Sequence, residues 1–123
     1  MQKSIQNQQP KNEYELQCSI INYLKQNYPK HIVFSVPNEA AKNRWPHFQN
    51  SGALSGAPDL VVITSLNVFF IECKFGKNTQ SLNQQLFEGK VKSLGLNYYV
   101  VYSLDEFILA LKQNQSITDI YKY

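Results

Sequence analysis

Glu72 and Lys74 stand two residues apart in the run VFFIECKF, residues 68–75, which is otherwise apolar. Its β-branched and aromatic content makes that run a strand. Side chains alternate along a strand, so Val68, Phe70, Glu72 and Lys74 share one face. Phe69, Ile71, Cys73 and Phe75 share the other. Two charges at the end of a core strand are costly unless they are paired or bound to a metal. A second apolar run, DLVVIT at residues 59–64, opens with Asp59 directly after Pro58. Only Ser65, Leu66 and Asn67 separate the two runs, so they should pair as an antiparallel hairpin. That pairing sets the start of the first strand beside the end of the second. Asp59 and Glu72 are then expected to meet at one end of a sheet, with Lys74 beside them.

Two carboxylates and an ammonium placed there have a definite use. Carboxylate oxygens hold Mg²⁺, which also keeps several waters. The ion polarises a phosphoryl oxygen and lowers the pKa of a bound water. Lys74 is placed to orient that water and to stabilise developing negative charge. Each piece has a plainer reading. E-x-K alone is usually a cross-strand ion pair, and Pro-Asp commonly marks a turn. The combination carries the argument, together with the long segment 37–57 just before it. That segment holds Pro37, Pro46, Gly52 and Gly56, and loops of such length tend to be functional.

The remaining elements must hold these groups in place. Leu16, Ile20 and Leu24 recur at helical spacing and predict a helix over 13–28, ended by Pro29. HIVFSV, residues 31–36, reads as a strand, and a short helical turn fits around 40–50. A second helix is expected over 81–94, with Gly95 just past its end. NYYVVYS, residues 97–103, is a strand, and 104–112 a helix with Leu104, Phe107, Ile108 and Leu111 on one face. The order is α-β-β-β-α-β-α, an α/β sandwich with a short mixed central sheet between helices. Residues 1–12 read as a flexible N-terminal arm, 13–113 as the domain and 114–123 as a trailing tail.

The chain's 123 residues fit one compact domain. Charged residues are 17% of the total, too few for disorder through charge excess. No apolar run reaches the roughly 18 residues of a membrane span, and the first residues lack the apolar stretch of a secretory signal. Cys18 and Cys73 cannot build a disulfide framework, and His31 and His47 lack metal-finger spacing. These features imply a reducing, cytoplasmic setting. The net charge is +3. That mild excess, twelve basic residues against nine acidic ones, is compatible with nucleic acid. Lys74, Lys77, Lys90 and Lys92 form a basic run around the site. Lys42, Arg44 and His47 suit phosphate contacts and equally suit solvated loop charges. Trp45 reads as a packing anchor and Cys73 as a buried hydrophobe.

Pro58-Asp59 followed by Glu72-Cys73-Lys74 resembles the PD-(D/E)xK nuclease signature, and so implies a restriction-endonuclease-like core. The wider pattern resembles the virus-type replication-repair nuclease (VRR-NUC) domains from the first helix nearly to the end. The opening helix runs from Glu13-Tyr14-Glu15-Leu16-Gln17 through Leu24; Asn38 follows the first strand and Arg44 comes a little later. Gly52 through Leu60 matches a G-x-x-x-G-x-P-D-L segment, and Gln84 and Gly95 match a helical glutamine and its terminal glycine. The resemblance implies that Asp59, Glu72 and the backbone carbonyl of Cys73 bind a divalent metal, completed by a first-helix glutamate. On that helix Glu13 shares the face of Leu16 and Ile20, whereas Glu15 points to a more polar side; an N-terminal glutamate favoured by the helix dipole remains the alternative. Lys74 would position the nucleophilic water and Gln84 would support the site, with Gln85 a competing register. Asn38, Lys42, Arg44 and Lys77 would contact nucleic acid. The implied activity is an endonuclease that uses Mg²⁺, with Mn²⁺ as a substitute and no organic cofactor. Its implied substrate is DNA, branched or four-way-junction DNA in particular, cut by a homodimer. The compact form suits a phage or mobile-element gene. The rival readings are a catalytically silent nucleic-acid-binding module and a restriction-type or RNA-directed nuclease on the same core.

Overall fold

A computed structural model of the chain describes residues 9–37 and 55–120. The expected helical turn around 40–50, and with it Asn38, Lys42, Arg44, Trp45 and His47, lies outside the described residues.

The elements are α1 (Glu13–Asn27), β1 (Ile32–Ser35), β2 (Leu60–Ile63), β3 (Val68–Cys73), α2 (Leu82–Ser93), β4 (Asn97–Val101), α3 (Leu104–Lys112) and α4 (Ile117–Ile120). Up to α3 this is the order read from the sequence, with strands shorter by one or two residues at their ends. The four strands lie in the order β1-β2-β3-β4. The first two pairings are antiparallel and β3 with β4 is parallel, so α2 is the crossover between parallel neighbours.

One face of the sheet is the main core. Leu60 and Val62 of β2, Phe69, Ile71 and Cys73 of β3, and Val101 of β4 pack there against Leu16, Ile20 and Leu24 of α1 and Phe107 and Leu111 of α3. The i, i+4, i+8 row on α1 is what the amphipathic spacing requires. Fully burying each such side chain contributes about 1.5–3 kcal/mol. The opposite face carries Phe70, Glu72 and Tyr98 and is served by α2, which buries only Val91 below a tenth exposure.

Helix ends are capped by the sequence itself. Asn12 accepts from the backbone N–H of Glu15 at 2.8 Å, and Glu15 accepts from Lys11 N–H at 2.9 Å. Asn12 therefore belongs to the helix start rather than to a loose arm. Ser81 and Gln84 form a reciprocal capping box on α2. Gly95 ends α2 with φ +82°, the left-handed conformation that favours glycine.

Residues 114–120 depart from the trailing tail expected for 114–123. Asn114 is fully buried; its side-chain oxygen accepts from Asn67 at 2.9 Å and Asn97 at 2.8 Å. Its amide donates to the Tyr99 hydroxyl at 2.9 Å and the Ala110 carbonyl at 2.8 Å. Thr64 donates its hydroxyl to the Asn114 carbonyl. One asparagine thus ties the β2–β3 turn, the start of β4 and the end of α3 together. Asn114 is held here because each of its buried donors and acceptors is satisfied.

Candidate active site

The β2–β3 register ends with Leu60 opposite Ile71, so Asp59 and Glu72 lie at the same end of the sheet. The regular pairing stops there, because the Asp59 N–H donates to the Ile71 carbonyl at 3.0 Å, one residue short of Glu72. The Asp59 side chain then turns to accept the Cys73 N–H on Oδ2 at 2.6 Å. Gly56 docks the preceding turn on α2. It has φ +82°, and a Cβ there would stand 2.3 Å from the Asn83 carbonyl oxygen, so only glycine fits. Asn83 fastens the same turn by donating to Ser55 Oγ at 2.8 Å.

Glu72 has no exposed surface. Its Oε1 accepts the Tyr98 hydroxyl and, at 3.3 Å, the Gln80 amide. The Lys74 ammonium stands 3.4 Å from Oε2, near enough to pair the charges, yet among the described residues Oε2 has no hydrogen-bond donor. Glu13, at the start of α1, accepts from Asn78 at 3.0 Å, and Asn78 is in turn held by the Tyr102 hydroxyl, which donates to its carbonyl at 2.7 Å. Glu15 is occupied at the helix cap instead.

The electrostatics show that these groups sense one another. Burial pushes the Asp59 carboxyl above its ordinary value of 3.8, opposed by the Cys73 N–H and reinforced by the charges of Glu72 and Glu13; Lys74 acts to lower it. Burial likewise raises the Tyr98 hydroxyl, and the hydrogen bond to Glu72 and that carboxylate's charge add to it, so Tyr98 stays a donor. The Cys73 thiol is raised by burial, then by Asp59, Glu13 and Glu72. Only 1% exposed, Cys73 belongs to the core face and remains a neutral thiol.

The donor chemistry fits a hard divalent cation. Asp59 and Glu72 lie close enough for their charges to interact, and among the described residues the buried Oε2 of Glu72 lacks a donor. Among the described residues no three His, Cys, Asp or Glu side chains are grouped as a ready-made cage. The remaining ligands would have to be water or substrate oxygens, the usual situation for Mg²⁺.

The other expected residues divide. Gln84 does not touch the carboxylates, because its Oε1 accepts the Ser81 N–H at 2.9 Å in the capping box. Gln85 reaches back to the Gln80 carbonyl at 3.4 Å. The glutamine that meets Glu72 is Gln80, whose amide also donates to Glu88 at 2.9 Å. Of the basic run, Lys77 is exposed, and Lys92 pairs with Glu88 at 2.5 Å. Lys90 lines a groove of about 410 Å³ with Phe70, Leu86, Phe87 and Val91, away from the acids. Sequence reading missed Tyr98, Gln80, Asn78 and Glu88. The signal for Tyr98 was a hydroxyl in an apolar strand; the signal for Gln80 was a polar stretch directly after E-x-K.

No family model and no curated protein matches the chain. A solved structure described as "VRR_NUC domain protein" shares the fold, with a TM-score of 0.66 and 23% sequence identity. The match covers 87% of this chain and 90% of that one.

Proposed function

We propose that the chain is a VRR-NUC nuclease of the PD-(D/E)xK type, an endonuclease that hydrolyses DNA phosphodiester bonds with Mg²⁺. One observation carries the reading: Asp59, just before β2, feels the charge of a fully buried Glu72 at the end of β3, with the Lys74 ammonium 3.4 Å from Glu72. A soluble-core strand keeps an acid and an amine in such a place at a cost, since a buried ion pair seldom stabilises more than apolar packing would. A catalytic use accounts for that cost, and the shared fold with a VRR_NUC domain protein supports it.

Asp59 and Glu72 would hold the cation, Glu13 lying within electrostatic reach of Asp59. When bound, the ion supplies Lewis acidity and a more acidic water. The chain's own groups do the rest. The Cys73 N–H fixes the Asp59 carboxylate, Tyr98 and Gln80 fix that of Glu72, and Lys74 is placed to orient the attacking water and to stabilise the charge that grows on the phosphoryl oxygens. Branched DNA, four-way junctions in particular, is the proposed substrate, and a homodimer the proposed assembly for paired cuts in an intracellular setting. No helix among the described residues is long and apolar enough to cross a membrane.

A cleavage panel of duplex, flap, four-way-junction and RNA substrates tests this. Cleavage should require Mg²⁺, favour the junction, and be abolished in folded Asp59→Ala and Lys74→Ala variants. Retained Mg²⁺-dependent cleavage in both variants would overturn the assignment. Tight junction binding with no cutting under any divalent ion would instead establish the silent binding module.

A further inference from the structure

The two oxygens of Glu72 are treated differently. Oε1 is taken by two donors, the Tyr98 hydroxyl from β4 and the Gln80 amide from the segment before α2. Among the described residues Oε2 has no hydrogen-bond donor, only the Lys74 ammonium 3.4 Å away. Neither donor is free to swing away. Tyr98 is 4% exposed and lies two residues before Val100, the β4 partner of Glu72, so it projects to the same face. Gln80 is held from its other side by Glu88, whose second oxygen is paired with Lys92.

This asymmetry bears on which cation the site can take. A carboxylate that grips an ion with both oxygens needs both at similar distance from it, an arrangement common for Ca²⁺, which takes six to eight oxygens at about 2.3–2.6 Å. Mg²⁺ demands near-octahedral geometry at about 2.0–2.1 Å and is content with single oxygens and retained waters. With Oε1 anchored, Glu72 can offer only Oε2.

We infer that Tyr98 and Gln80 are positioning residues that hold Glu72 to one-oxygen coordination and thereby set the site's preference for Mg²⁺ over Ca²⁺. The inference rests on the nuclease reading above, in which Glu72 is a cation ligand. It concerns ion selection, so it can be read without DNA.

The test is calorimetric titration of Mg²⁺ and of Ca²⁺ into the full chain, for the wild type, Tyr98→Phe, Gln80→Leu and the double variant. Release of Oε1 should shift the Ca²⁺/Mg²⁺ affinity ratio toward Ca²⁺ by about tenfold, at the lower edge of what loss of a ligand-orienting hydrogen bond does to metal affinity. The double variant should shift it furthest. Gln80 lies outside every helix and strand, so Gln80→Leu decides the matter if Tyr98→Phe fails to fold. An unchanged ratio in the folded variants overturns the inference, as does an equal weakening of both ions, which is what a merely structural role would give. If the wild type binds Mg²⁺ and cuts DNA while the ratio stays fixed, the clamp alone fails. If the wild type binds neither ion and cuts nothing, the nuclease reading fails and takes the clamp with it.

Discussion

Replacing Asp59 by asparagine should make the metal-free protein more stable while removing its activity. The substitution keeps the shape and an oxygen that can still accept the Cys73 N–H, now 2.6 Å from Oδ2. What it removes is a charge that burial, Glu72 and Glu13 all disfavour. A like charge within about 6 Å opposes ionisation by about 3 kcal/mol at an effective dielectric constant near 20. Lys74 and the Cys73 N–H offset part of this, leaving an expected net gain of about 1–2 kcal/mol, or about 4–8 °C in Tm for a chain of this size. The pH dependence has a fixed sign. The folded-state pKa of Asp59 is raised, so its ionisation costs stability; the penalty is absent below the ordinary value of 3.8 and complete above the raised one. The asparagine variant's advantage should therefore grow as pH rises from near 4 and level off by neutrality. Thermal melts of both proteins in a chelating buffer across that range read it directly. A variant that melts at or below the wild type at neutral pH would refute the reasoning that Asp59 is held under electrostatic strain.

Lys74→Met should destabilise the protein by about 3 kcal/mol, because Glu72 is left as a buried charge without its cation; adding Glu72→Gln should restore most of that loss in a double-mutant cycle read by urea denaturation. Gly56→Ala should cost about 2 kcal/mol or more, since it forces a side chain into positive φ and against the Asn83 carbonyl, and a lowered Tm checks it. Asn114→Ala should cost about 3 kcal/mol through the several buried partners it orphans, yet leave the metal dependence of cleavage unchanged, because it stands at the end of the sheet away from the acids. Activity lost in step with divalent-ion binding in that variant would contradict the separation of the two ends.

Much of the arrangement was legible because hairpins are local. Two apolar runs joined by three residues leave little choice of pairing, so the hairpin that brings Asp59 and Glu72 to one end of the sheet is readable from the sequence. The β3–β4 pairing is different: its register depends on how α2 crosses over, and no short-range signal says that Tyr98 will come to lie beside Glu72. Gln84 illustrates a competition that spacing cannot settle. It sits three residues after Ser81, and the capping box claims its side chain, which leaves Gln80 to reach the acid. Asn114 falls in the expected tail because a polar residue beyond the last amphipathic helix carries no local packing signal. Its burial depends on Asn67, Asn97 and Thr64, which are distant in sequence and adjacent only after folding.

The most direct test is a single-turnover cleavage assay on labelled four-way-junction DNA, comparing wild type with Asp59→Asn in Mg²⁺ and in chelator. The account predicts cutting by the wild type in Mg²⁺ only, and none by a variant that is at least as well folded. Cutting by the wild type in chelator, or by Asp59→Asn in Mg²⁺, would contradict it.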